Sequence, residues 1–282
     1  FFIDPGTGIA VTLANTRLTE ATGTLNTSVT DAESTFLEAT GTATYRRDDA
    51  GGSLVEATGS LSVVRDKHLL DINGWAAWLE ISSGATIKVT NDNIDEISGT
   101  IFTRLDNAQG PFVRLALAGI YTDAGGFEGL GMAELMQEVT VGTVGDYTCK
   151  VLPGTGAEVT LLNTDITHIG GTVNAQLDDA SLGKQKFISI TATADYDYLG
   201  QVFNGTGAAE IHVDKKLAEL GGQMFFLGAG SGAEVTVKDN NLATIGGTIN
   251  LRLDDAEGKY LNVSLGGVLD ASTGLFNGTG TT

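Results

Sequence analysis

The sequence predicts an all-β protein made of tandem repeats of about 76 residues, each of about four long strands joined by polar turns. Three observations lead there. Apolar and polar residues alternate with period two over long stretches. Glycine is abundant and proline rare, 39 against 3, which suits tight turns and uninterrupted ladders. One block of residues recurs along the chain at nearly constant spacing.

The block is clearest at Gly232-Ala233-Glu234-Val235, followed by Ile245-Gly246-Gly247-Thr248 and Leu253-Asp254-Asp255-Ala256. It recurs as Gly156-Ala157-Glu158-Val159, Ile169-Gly170-Gly171-Thr172 and Leu177-Asp178-Asp179-Ala180. A third copy reads Gly84-Ala85-Thr86-Ile87, Ile97-Ser98-Gly99-Thr100 and Leu105-Asp106-Asn107-Ala108. A worn copy keeps Gly8, Ala21-Thr22-Gly23-Thr24 and Asp31-Ala32. The marker glycines Gly23, Gly99, Gly171 and Gly247 set the step from one copy to the next. The expected units are 1–76, 77–148, 149–224 and a truncated 225–282, the last stopping at Phe276-Asn277-Gly278-Thr279-Gly280, which matches Phe203-Asn204-Gly205-Thr206-Gly207. The truncation suggests a piece of a longer array, or a strand supplied by a neighbour.

Within a repeat, Leu18-Thr19-Glu20-Ala21-Thr22-Gly23 returns as Phe36-Leu37-Glu38-Ala39-Thr40-Gly41 and again as Leu54-Val55-Glu56-Ala57-Thr58-Gly59, by the same step each time. One such step is a long strand plus a turn. The turns are expected at 30–34, 48–52, 254–258 and 270–274, where Asp and Gly tolerate turn dihedrals and bond locally. Leu37, Ala39, Gly41, Ala43 and Tyr45 share one strand face; Glu38, Thr40, Thr42 and Thr44 share the other. Gly23, Gly41, Gly59, Gly99, Gly171 and Gly247 fall on the apolar face, so each must let a strand bend or another backbone come close. The expected architecture is an antiparallel meander curling into a flattened roll or sandwich over a thin core, with a parallel β-solenoid as the alternative. An outer-membrane barrel fits less well, because the apolar face is rich in Ala and Gly and no aromatic girdle recurs. Short helices or wide turns are expected at 213–222 and 66–74, with helix also at 130–139, the first two closed by glycines.

The formal charge of −19 repels phosphate backbones and anionic lipid, so nucleic acid is not an expected partner. No run of about 18 apolar residues exists to span a membrane as a helix. The one cysteine, Cys149, aligns with Phe1, Ala77 and Phe225 and is expected to be a buried apolar position.

Catalysis has little to stand on. His68, His168 and His212 occupy different repeat positions, and no nucleophile elbow, phosphate loop or zinc spacing is present. Calcium is the sharpest chemical expectation: Asp106, Asp178, Asp179, Asp254 and Asp255 recur at one turn, matching Asp31 with Glu33, and hard cations want several turn oxygens. A second set is Asn15, Asn91, Asn163 and Asp239. Against both stands the ordinary use of Asp and Asn as turn formers. Trp75, Trp78, Tyr196 and Tyr198 are the aromatics a glycan could use, although the two tryptophans lie beside a repeat junction.

In style, these acidic, cysteine-poor, Gly/Thr/Asp-rich repeats resemble the repeat regions of large secreted bacterial adhesins and type I-secreted surface proteins, without the glycine-aspartate nonapeptide of calcium-binding β-rolls. The resemblance implies a structural or adhesive extracellular protein at the cell surface: an adhesin, stalk or filament component that associates with itself or with neighbouring repeats. The alternative is a calcium- or glycan-binding module, including a phage-fibre part. An enzyme is not expected.

Overall fold

A computed structural model describes residues 2–47, 52–123, 125–163, 165–183 and 185–282. The expected turn at 48–52 lies almost wholly outside them. The chain is 77% strand and its strands form a large antiparallel sheet that is not closed; the described residues contain no α-helix and one 3₁₀ turn, Ala180–Leu182.

The strands run in chain order: β1 (Phe2–Ile3), β2 (Gly8–Ala14), β3 (Arg17–Thr30), β4 (Thr35–Arg47), β5 (Ser53–Val63) and β6 (Lys67–Ile72). Next come β7 (Trp75–Leu79), β8 (Gly84–Thr90), β9 (Asn93–Asn107), β10 (Gly110–Thr122), β11 (Gly126–Leu135) and β12 (Val139–Val144). They continue with β13 (Tyr147–Val151), β14 (Gly156–Leu162), β15 (Asp165–Asp179), β16 (Gln185–Asp197), β17 (Val202–Ile211) and β18 (Lys215–Leu220). The last are β19 (Gln223–Leu227), β20 (Gly232–Lys238), β21 (Asn241–Asp255), β22 (Gly258–Asp270) and β23 (Leu275–Thr281).

By contact the chain divides into two units, residues 1–133 with 158–167, and 134–157 with 168–282. In the first, β3, β4 and β5 form a meander, β5 pairs with β8, β8 with β9, and β9 with β10. The full length of β9 is matched on one side by two short strands: β8 covers its first half and β7 its second. A short break, Glu80 to Ser83, separates β7 from β8. β1 and β2 share β3 in the same way around the break Asp4 to Thr7. In the second unit β15, β16 and β17 form the meander, β17 pairs with β20, and β19 and β20 share β21 around the break Gly228 to Ser231. β22 and β23 follow.

The antiparallel pairing sets aside the parallel solenoid. The register keeps the two faces the sequence alternation implies. In one row Tyr45 lies opposite Val55, Ala43 opposite Ala57 and Gly41 opposite Gly59; on the other face Thr42 bonds Thr58 at 2.9 Å and Thr40 bonds Ser60 at 2.8 Å. The expected roll or sandwich core is not there. Among the described residues only Val63 and Phe187 are buried hydrophobics, so the apolar face carries little core. Cys149, expected to be buried, is exposed.

The expected helices are strands. Residues 66–74 hold β6 and 213–222 hold β18, and 130–139 runs from β11 into β12. The glycines that resembled helix stops are hairpin turns: Asn73-Gly74 and Gly221-Gly222 are both left-handed, with φ of 50° and 86°, and 61° and 81°.

Candidate functional site

Polar chemistry concentrates where the split strands break. At each break a hydroxyl stands in for a backbone rung of the ladder. Thr7, Ser83, Thr155 and Ser231 accept the N–H of Asn26, Phe102, Asn174 and Asn250 respectively, each at 2.9 Å. The first three hydroxyls donate back to the carbonyl of the same residue at 3.1 Å, and Ser231 donates to Gly228 O at 2.7 Å. A residue with no ladder partner would leave a costly unpaired N–H, and a short hydroxyl side chain is the local remedy. The residue before each hydroxyl is left-handed: Gly6, Ser82, Gly154 and Gly230, with φ of 90°, 74°, 80° and 77°.

A carboxylate from the preceding bend ties the break down. Asp66 accepts the N–H of Ile81 at 2.8 Å and pairs with Arg104 at 3.2 Å. Asp214 accepts the N–H of Ala229 at 2.8 Å and pairs with Arg252. Between β13 and β14 the break runs Leu152 to Thr155, and its corresponding loop residue is Pro153, which has no N–H to offer; there Glu138 bonds Lys150 at 2.8 Å.

Four of the five carboxylates expected to hold calcium, Asp106, Asp178, Asp179 and Asp254, already face cations of the chain. Asp106 accepts from Arg104 Nε at 2.7 Å and Asp254 from Arg252 Nε at 2.8 Å. Asp178 meets Lys150 at 2.8 Å and also Gln176. Asp179, fully buried, meets Lys215 and caps the 3₁₀ turn by accepting from Ser181. Asp255 closes a hairpin turn, accepting the N–H of Glu257 at 2.8 Å and Gly258 at 3.1 Å. Asp178 and Asp179 thus take different bases, Lys150 and Lys215, and no group of three or more His, Cys, Asp or Glu gathers among the described residues. The second set, Asn15, Asn91, Asn163 and Asp239, occupies left-handed hairpin positions with φ of 49° to 53°.

The cations are held by aromatic plates as well as acids. Arg104 lies over Trp78, Arg252 over Phe226, Lys67 over Phe36, and Lys215 over Tyr147 and Phe187. Trp75 packs edge-on against Phe112 and Tyr196 against Tyr198. The pairing shifts the titrations. Lys67, with the Glu33 N–H and Arg65, holds Asp31 well below the usual carboxylate range. Lys215 and the Ser181 hydroxyl hold Asp179 down, and Asp179 in turn raises Lys215. Burial would push Asp178 up, but Lys150 and Gln176 outweigh it and its pKa is lowered. Arg104, though disfavoured by burial, is raised by Asp106, Asp66 and Glu80.

Sequence reasoning found the acids and missed their basic partners. A signal was present: Arg104 and Asp106, like Arg252 and Asp254, stand two apart in a strand and so share a face.

The nearest nucleophile–base contact is Ser189 Oγ to His212 Nε2 at 2.6 Å. Ser189 sits mid-strand, paired to Gln176 on one side and Glu210 on the other, so the ladder takes the backbone donors an oxyanion would need. Among the described residues that line a groove of about 960 Å³ along β8 to β11, Glu128 is the one with an ionisable side chain. No family model matches the chain and no curated protein matches its sequence.

Proposed function

We propose that this protein is a structural or adhesive extracellular repeat protein, a surface adhesin, stalk or filament component built from units 1–76, 77–148, 149–224 and 225–282. The observation that carries the reading is the fourfold recurrence of the break hydroxyls at Thr7, Ser83, Thr155 and Ser231. Their partners Asn26, Phe102, Asn174 and Asn250 each stand three positions past a marker glycine, Gly23, Gly99, Gly171 and Gly247 in turn. A hydrogen bond and a glycine pattern found independently thus keep one step. An array in which each unit adds strands to the edge of the last behaves as a one-dimensional solid, stabilised by nearest-neighbour interfaces. The polar clusters are spent on holding strand breaks, which suits a scaffold more than a centre of chemistry.

Deletion of residues 77–148 tests the repeat. β14 then replaces β8 beside β5, and the shortened chain folds with unchanged mean residue ellipticity; a chain that collapses or aggregates overturns the unit boundaries. Electron microscopy of the native protein tests the role. Uniform fibres or cell-surface projections are expected, and compact particles that turn over a small molecule would overturn it.

A further inference from the structure

We infer that the uncharged face of the sheet is an interface for a second copy of this chain. The inference goes beyond the repeat reading and does not depend on it. The charges that pair across these strands share one face: Arg46 bridges Glu20 and Glu56 at 3.4 and 3.3 Å, and Lys88 stands opposite Glu96. The other face has no charge in its central rows. In the second unit one such row runs Val235, Ile245, Leu269, Phe276 across β20 to β23. Two residues along, a row of small residues runs Ala233, Gly247, Gly267, Gly278, and beyond it stand Ile249 and Leu265. The first unit repeats the relief, with Ile87 and Ile97 on one side of Ala85 and Gly99, and Ile101 and Leu117 on the other.

These ridges are uncovered. Leu117 is 60% exposed, and Ile101, Ile249 and Leu265 are exposed as well. The chain's accessible surface is 17162 Å², and a stable interface buries only ~800 Å² per partner. A second copy is the occupant that fits. A two-fold axis lays the same patch on itself, and an apolar ridge set beside a small-residue trough is then complementary to its own image. Each copy carries a formal charge of −19. Contact through the uncharged face keeps the acidic faces outward and apart. Lipid-facing sheets instead present a continuous apolar band with aromatic girdles, not a trough of glycine and alanine.

Sedimentation equilibrium of the 282-residue chain at micromolar concentration reads the association. The wild type is expected to be dimeric or larger. The double variant Leu117→Lys/Leu265→Lys should dissociate about 100-fold more readily, the order of effect of placing a charge at an interface centre. Its far-UV circular dichroism should be unchanged, since both side chains are exposed already. Leu117→Thr/Leu265→Thr, which keeps strand propensity, serves where the lysines disturb folding. Thr42→Lys, on the opposite face, should leave association as it was. A monomeric wild type, or association indifferent to both double variants, overturns the inference. So does a monomer that floats with phosphatidylcholine vesicles, which would assign the face to lipid.

Discussion

Gly99 faces the carbonyl oxygen of Gly84 so closely that a Cβ built on Gly99 would lie 2.6 Å from it. The same approach occurs at Gly247 with Gly232 O, also 2.6 Å, and at Gly171 with Gly156 O, 2.8 Å. Backbone cannot swing aside as a side-chain tip can. Gly99→Ala and Gly247→Ala are therefore expected to destabilise by about 1–3 kcal/mol, the range for overpacking. Gly207 has nothing within 4 Å of its Cβ position, and there the ordinary gain of about 0.5–1 kcal/mol from Gly→Ala should appear. Urea midpoints of the three variants, compared with wild type, give the sign of each.

The break hydroxyls make a second prediction. Ser83 and Ser231 are 2% and 3% exposed. Removing either hydroxyl strands the N–H of Phe102 or Asn250, so Ser83→Ala and Ser231→Ala should each cost about 1–3 kcal/mol. Ser231→Thr should be tolerated, because Thr7 and Thr155 do the same work at the equivalent breaks. Equal losses for Ser231→Ala and Ser231→Thr would count against the hydroxyl as the cause.

The strands and their faces were legible in the sequence because period-two alternation is a local property. Leu37 to Tyr45 alternates, and the register in the sheet keeps it. The marker glycines announced a close backbone, and Gly84 O supplies it at Gly99. The helices failed because a glycine pair after a short amphipathic stretch stops a helix and turns a hairpin with the same left-handed φ. Gly221-Gly222 turns β18 into β19. The core failed for a different reason: alternation shows that one face is apolar, not what packs against it. The base facing Asp178 was not legible because Asp178 and Lys150 are distant in sequence and meet only through the pairing of β13 with β15.

The chain itself suggests a rescue at Asp179. Asp31 pairs with Lys67 and Asp179 with Lys215, whereas the positions that align with them under the proposed repeat, in 77–148, hold Asn107 and Val139. Acid and base vanish together there. Lys215→Val alone should destabilise, since it leaves a buried carboxylate facing no cation. Asp179→Asn/Lys215→Val should recover most of the loss. A double-mutant cycle read by thermal unfolding tests this, and additive losses would show that the two side chains do not act as a pair.

The hairpin turns distinguish two neighbours that look alike. Asn91-Asp92 and Asp239-Asn240 both join strands with left-handed residues, φ of 53° and 63°, and 50° and 64°. Glycine is the residue such a second position favours. Asp92→Gly should therefore stabilise by about 0.5–1 kcal/mol. Asn240 carries more than a turn: its Oδ1 accepts the Phe203 N–H and its Nδ2 donates to Gln201 O, each at 2.8 Å. Asn240→Gly gives up both bonds, and a net loss of about 1 kcal/mol is expected. Chemical denaturation of the two variants should move in opposite directions.

Stability should fall on both sides of a broad plateau in pH. Asp31, Asp178 and Asp179 have pKa values lowered by their partners, so they release protons more readily folded than unfolded. Such groups contribute stability that is complete above the unfolded value, about 3.9, and is lost as pH falls through the lower folded values. Lys150 and Lys215 are raised, so their contribution is complete below about 10.4 and is lost as pH rises through the folded values. The urea midpoint should be level through neutral pH, drop below about pH 4 and drop again above about pH 10. Asp179→Asn/Lys215→Val removes one contributor from each edge, so its midpoint should change less than wild type at both. An acid limb as steep in that variant as in wild type would place the pH sensitivity elsewhere in the fold.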